Sequence, residues 1–92
     1  MSVALVREFR GVSAEQFDRL RAELGDHAPR GLILHVAGPS DGGWRTIDVW
    51  ETKADSRRYE LDQLVPALRR SGLTRPRPAE LAVHHLLHGD AR

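Results

Sequence analysis

Residues 35–51, HVAGPSDGGWRTIDVWE, decide the fold of this chain. They read as two strands joined by a connection over residues 39–43, where a proline and two glycines interrupt the apolar pattern. Side chains alternate along a strand, so the second strand, residues 44–51, carries Trp44, Asp48 and Trp50 on one face. Both tryptophans of the protein thus flank an acid in mid-strand, which points to a lined cavity.

Working outward, residues 2–9 form a Val- and Leu-rich strand that Gly11 ends. Ser13 is an N-cap, Gln16 completes a capping box, and Val12 is placed to staple onto Phe17. Phe17, Leu20 and Leu24 recur at helical spacing until Gly25 stops the helix. After a loop over residues 26–30, residues 31–38 (GLILHVAG) read as a strand apolar on both faces apart from His35. Thr52 and Asp55 open a second helix, lined by Leu61, Leu64, Val65 and Leu68 and running to about Ser71. Pro66 lies inside it and should bend it near Asp62 and Gln63. Gly72 ends it, TRPRPA is an extended linker, and residues 80–88 alternate as a fourth strand.

The order βαββαβ is the ferredoxin-like α+β arrangement, a four-stranded antiparallel sheet with both helices on one face. The uncovered face would then hold residues too apolar for water, including Trp50, Ile33 and Leu86. Two copies packed sheet to sheet would cover it and enclose a barrel.

Composition supports that expectation. Ninety-two residues make a single domain spanning 1–92, and a chain of this size buries only about 60–65% of its unfolded surface. With no cysteine, neither disulfides nor thiolate metal sites can reinforce it, which leaves oligomerisation. A net charge of +1 from 14 basic and 13 acidic residues, spread along the chain, gives no phosphate-tracking stripe, so nucleic acid is not an expected partner. Arg7 and Glu8 interrupt the apolar start too early for a signal segment, and no run approaches the ~20 apolar residues of a membrane span. A soluble cytoplasmic protein is the expectation.

Four pieces, VREFRGVSAEQFDRL, GLILHVAG, GWRTIDVWET and LVPALRRSG, together span nearly the whole chain. Through them it resembles the dimeric α+β barrel superfamily, and within it the small antibiotic-biosynthesis-monooxygenase-like bacterial proteins. The resemblance implies a homodimer whose barrel holds a small apolar or aromatic molecule, with cofactor-independent monooxygenation as one activity. Polyketide-cyclase-like enzymes and non-catalytic ligand-binding or regulatory dimers are the alternatives. Haem-degrading relatives rely on an asparagine, a tryptophan and a histidine. This chain has no asparagine, so that triad cannot be assembled and no cofactor is implied.

Strand parity proposes which residues meet. If Ile47 and Val49 pack under the helices, Trp44, Thr46, Asp48 and Trp50 face a cavity on the other side. In the second strand Leu32, Leu34 and Val36 suit the helices, leaving Ile33, His35 and Ala37. In the fourth, Leu81, Val83 and Leu87 suit them, leaving Ala82, His84 and Leu86. The first strand offers either Arg7 or Val6 and Glu8. The candidate catalytic residues are therefore His84, His35 and Asp48, with a histidine as base and Asp48 setting its tautomer. Trp50, Ile33, Leu86 and Trp44 are the candidate substrate contacts, Trp44 being better suited to packing. In the plainer reading, Asp48 pairs with Arg7 or Arg45 and the histidines hydrogen-bond in the dimer core. An interior lacking a pocket of about 300 Å³ would favour it.

Three other patterns carry no function. His84 and His88 of HHLLH sit four apart on a strand, about 13 Å, too far to share a zinc. GPSDGG lacks the lysine and following helix of a phosphate loop. RRYE, residues 57–60, reads as solvated helix surface, with Tyr59 at its edge.

Overall fold

The computed structural model describes residues 1–89. Its elements are β1 (Val3–Arg10), α1 (Ala14–Leu24), β2 (Leu32–Ser40), β3 (Gly43–Trp50), α2 (Lys53–Tyr59), a π-helical turn (Glu60–Leu64), α3 (Val65–Ser71) and β4 (Ala79–Ala82). The strands form one antiparallel sheet in the order β2-β3-β1-β4. This is the ferredoxin-like arrangement expected from the element order.

Local signals place the ends of the elements. Ser13 Oγ accepts from the Gln16 N–H while Gln16 Oε1 accepts from the Ser13 N–H, closing the capping box at the start of α1. Gly25 ends the helix at φ 87°, and Val12 packs with Phe17 in the main core. The β2–β3 hairpin is tighter than the sequence suggests: Ser40 pairs with Gly43, leaving only Asp41 and Gly42 between the strands. Pro39 is tolerated inside β2 because β2 is an edge strand. Gly43 has φ 153°, and a Cβ there would stand 2.3 Å from the Phe9 carbonyl oxygen. Only glycine lets β3 start so close to β1.

The bend expected before Pro66 takes the form of a widened turn. The Val65 N–H reaches back five residues to the Glu60 carbonyl. Proline has no N–H to offer, and its ring crowds the carbonyl four residues earlier. A one-residue expansion relieves that crowding while α2, the π turn and α3 continue as one helical rod.

The main core lies between sheet and helices: Phe9, Phe17, Leu20, Leu64, Ala67 and Leu68 are all buried. A second cluster joins Val3, Leu5 and Trp50. Val3, Leu5, Arg7 and Phe9 therefore form the helix-facing side of β1. Directly opposed antiparallel residues share a face, and these four oppose Trp50, Asp48, Thr46 and Trp44.

That register reverses the parity expected for β3. Trp44, Thr46, Asp48 and Trp50 lie under the helices, and Ile47 and Val49 lie on the outer face. The expectation that Ile47 and Val49 pack under the helices failed because Asp48 is buried on that side through its ion pair with Arg7. Val49 is buried on the opposite face, at 8% exposure. β2 departs for a second reason. A bulge between Leu32 and Leu34 leaves Leu32 opposite Trp50 and His35 opposite Asp48, both on the helix side. Leu34 and Val36 then fall on the outer face, 38% and 52% exposed, and Ile33 is the extra residue of the bulge.

β4 also differs, covering Ala79–Ala82 rather than residues 80–88. It pairs with Val3–Val6, and the Val83 N–H makes a last bond to the Ser2 carbonyl, 2.9 Å. The pairing with β1 ends there. Leu81 opposes Ala4 on the outer face instead of packing under the helices. His84, Leu86, Leu87 and His88 follow the strand and are exposed.

Candidate functional site

A half-open cleft of about 190 Å³ lies between the helix-facing side of the sheet, α1 and the π turn. Its apolar wall includes Phe9, Phe17, Leu64, Trp50 and Tyr59, and its polar floor is Arg7, Thr46, His35 and Asp48. The loop over residues 25–29 forms the rim. The volume is below the roughly 300 Å³ typical of ligand pockets, but exceeds the about 150 Å³ of an apolar cavity that binds benzene.

Four charged side chains and a histidine run in a line beneath this cleft. His35 Nδ1 is 2.5 Å from Asp48 Oδ1. Arg7 Nη1 donates to Asp48 Oδ2 at 3.0 Å, and Arg7 Nη2 donates to Glu60 Oε1 at 2.7 Å. Arg75 Nη2 closes the line on Glu60 Oε2. Arg7 and Asp48 are 1% and 4% exposed, while the His35 side chain keeps 39% of its surface. Two buried charges are tolerable only as a well-bonded pair, and β1 and β3 supply them from adjacent registers, Leu5↔Asp48 and Arg7↔Thr46. Arg45, the other partner considered for Asp48, bonds Glu8 at 2.7 Å instead.

Electrostatics separates the roles. Burial pushes the Glu60 carboxyl up, but hydrogen bonds from Arg7 and Arg75 outweigh it and hold the group below its ordinary 4.5. Burial raises the Tyr59 hydroxyl to about 12, Asp48 acting in the same sense and Arg7 against it. Tyr59 therefore stays protonated at neutral pH and is no base. Its ring lies 5.0 Å from that of Trp50, tilted by 38°, so the two form one aromatic wall.

Of the residues singled out from sequence, the fold brings His35, Asp48 and Trp50 to one cleft. Trp44 packs on Phe17 at 5.4 Å within the core and does not line the cleft. Ile33 sits in the bulge, and His84 and Leu86 lie past the end of β4, away from it. Sequence reasoning left Arg7 undecided and missed Tyr59 and Glu60, which it placed on solvated helix. Pro66 was the available signal, since a proline inside a helix announces a local rearrangement one turn earlier. Among the described residues no three His, Asp or Glu side chains converge as a metal site, and no helix is long and apolar enough to cross a membrane.

Solved structures share this architecture. SnoaB, a cofactor-independent oxygenase from Streptomyces nogalater, matches with a TM-score of 0.65 and 20% identity, over 94% of this chain and 96% of that one. An asparagine-to-alanine variant of SnoaB gives 0.64 and 21% over the same shares. The chain shares its ferredoxin-like α+β fold with this oxygenase. A candidate antibiotic biosynthesis monooxygenase from Deinococcus radiodurans has that fold too, with a TM-score of 0.56 and 13% identity over 99% of this chain and 100% of its own. No family model and no curated sequence matches the chain. The likeness is therefore one of fold, and function must be argued from the site.

Proposed function

We propose that the protein is a cofactor-independent monooxygenase that binds a small hydroxylated aromatic molecule in the cleft between sheet and helices. The observation that carries this reading is the His35–Asp48 contact at the polar floor of an aromatic cleft. Asp48 accepts the Nδ1–H of the neutral imidazole, which leaves the Nε2 lone pair free to take a proton. Asp48 itself is committed to Arg7 and His35, so it orients and does not transfer.

The chemistry follows from a phenol's acidity. His35 Nε2 removes the hydroxyl proton, and the phenolate becomes an electron-rich carbon nucleophile at its para position. That anion reduces dioxygen, a C–O bond forms, and the resulting hydroperoxide loses water to give a quinone. One oxygen atom is retained, the other leaves as water, and the phenol supplies all four electrons that dioxygen takes up. Tyr59, backed by the buried Trp50, offers the flat ring an aromatic wall. The cleft volume of about 190 Å³ suits one ring, against about 150 Å³ for a cavity that holds benzene. A second ring would extend past the rim.

The outer sheet face supports the partner expected from sequence. Leu34, Val36 and Leu81 are exposed there beside Ile47, and a second copy packed on this face would remove them from water. The protein is read as a homodimer on that basis.

A dihydroxynaphthalene is a suitable two-ring probe. The proposal expects protein-dependent oxygen uptake matched one to one by hydroxynaphthoquinone, without added metal, flavin or haem. Binding of the probe without oxygen uptake would make the cleft a receptor site; a cyclised product without oxygen uptake would make it a cyclase.

A further inference from the structure

The line His35–Asp48–Arg7–Glu60–Arg75 has a feature that the base assignment does not require. Arg7 is a planar fork whose favoured partner is a single carboxylate held through both arms. Here the fork is split. Nη1 goes to Asp48 Oδ2 and Nη2 goes to Glu60 Oε1. With the second arm engaged elsewhere, no arm of Arg7 competes with the His35 ring at Asp48 Oδ1.

We infer that Glu60 is a positioning residue that diverts one arm of Arg7 and so reserves Asp48 Oδ1 for His35, with Arg75 holding Glu60 in place. Glu60 is delivered by the first residue of the π-helical turn, whose carbonyl takes the five-residue bond from Val65. The widened turn thus has a second consequence beside accommodating Pro66: it sets Glu60 over the sheet, at Arg7. π turns recur at functional positions for this kind of reason. Arg75, in the linker before β4, clamps the outer oxygen of Glu60 with its own side chain 52% exposed. Both Glu60 and Arg75 act on the cleft from a distance, and Arg75 does not line it.

This inference rests on His35 being the base, but its physical content is the tautomer of one imidazole. Ring nitrogen-15 spectra report that directly at about pH 8, where an ordinary imidazole is neutral. In the native protein the His35 Nδ1–H form should dominate. In Glu60→Gln, the released arm closes on Asp48 as a two-armed pair, and His35 reverts towards the mixture of a free imidazole, in which the Nε2–H form dominates. With the dihydroxynaphthalene probe, kcat should fall about tenfold with KM within twofold, since the aromatic wall is untouched. Arg75→Gln changes an exposed side chain, so it keeps the fold and should move the same signals part of the way. A His35 tautomer unchanged in both variants, or unchanged in Arg75→Gln if Glu60→Gln does not fold, overturns the inference. A tautomer that shifts while His35→Gln leaves turnover intact supports the inference and removes the base assignment instead.

Discussion

His35 Nδ1 and Asp48 Oδ1 meet at 2.5 Å across the β2–β3 hairpin, the imidazole half-exposed and the carboxylate buried. The contact exists because the bulge in β2 turns His35 to the helix side, opposite Asp48. Plain alternation carried on from Leu32 would instead have put His35 on the outer face.

Asp48→Asn keeps the shape and removes the charge. Its amide can present a donor to His35 and so favour the wrong tautomer, as in a triad with its acid amidated. The expected result is a loss of about 10²–10⁴ in kcat, the range of general-base contributions, with probe affinity within a few fold. An oxygen electrode and an equilibrium titration of the same variant check both.

Arg7→Met tests the burial of charge. Methionine fills the space but leaves Asp48 and Glu60 facing each other without their shared cation. Removing one partner of a buried ion pair costs about 3–5 kcal/mol, which urea unfolding at neutral pH would read. Restoring neutrality with Arg7→Met, Asp48→Asn and Glu60→Gln together should recover much of that loss.

Tyr59 is the protein's one tyrosine, so its ionisation can be followed by ultraviolet absorbance. The hydroxyl titrates near 12 in the fold, against 10.0 ordinarily. A raised value means the folded state holds the proton longer than the unfolded one. The stabilisation is complete below pH 10.0 and is lost as pH climbs through about 12. Tyr59→Phe should flatten this alkaline loss of stability; a native midpoint near 10, measured in a rapid pH jump, would contradict the burial argument.

The outer face predicts a solution property. Val36→Glu with Leu81→Glu places two carboxylates where the side chains are now 52% and 65% exposed. In an isolated chain such changes are nearly neutral. In a dimer closed through this face they bury unpaired charge, and sedimentation should show a shift to monomer.

Much of the fold was legible because its signals are local. Ser13 with Gln16, Gly25, Thr52 with Asp55 and Pro66 each fix a few neighbouring residues, and the elements follow. The site was legible in composition and not in orientation. His35, Asp48 and Trp50 were identified, but β3 carries large or charged residues on both faces, so period two alone could not say which face was covered. Ile47 and Val49 suited the helix side better than Asp48 does until Arg7, 41 residues away, neutralised that acid. A bulge leaves no trace in alternation, which hid the turn of His35. His84 was misplaced because apolar alternation continues after Ala82, where the pairing with β1 has already ended. Glu60 looked like surface because the bend expected near Asp62 and Gln63 does not announce a widened turn that starts at Glu60.

The most direct test of the central claim is oxygen uptake with the dihydroxynaphthalene probe by His35→Gln beside the wild-type protein. Glutamine retains polarity and approximate size but cannot act as a base at neutral pH. The account predicts that the variant binds the probe as the wild type does and consumes oxygen at least about a hundredfold more slowly. Oxygen uptake at the wild-type rate by a folded, probe-binding variant would contradict it.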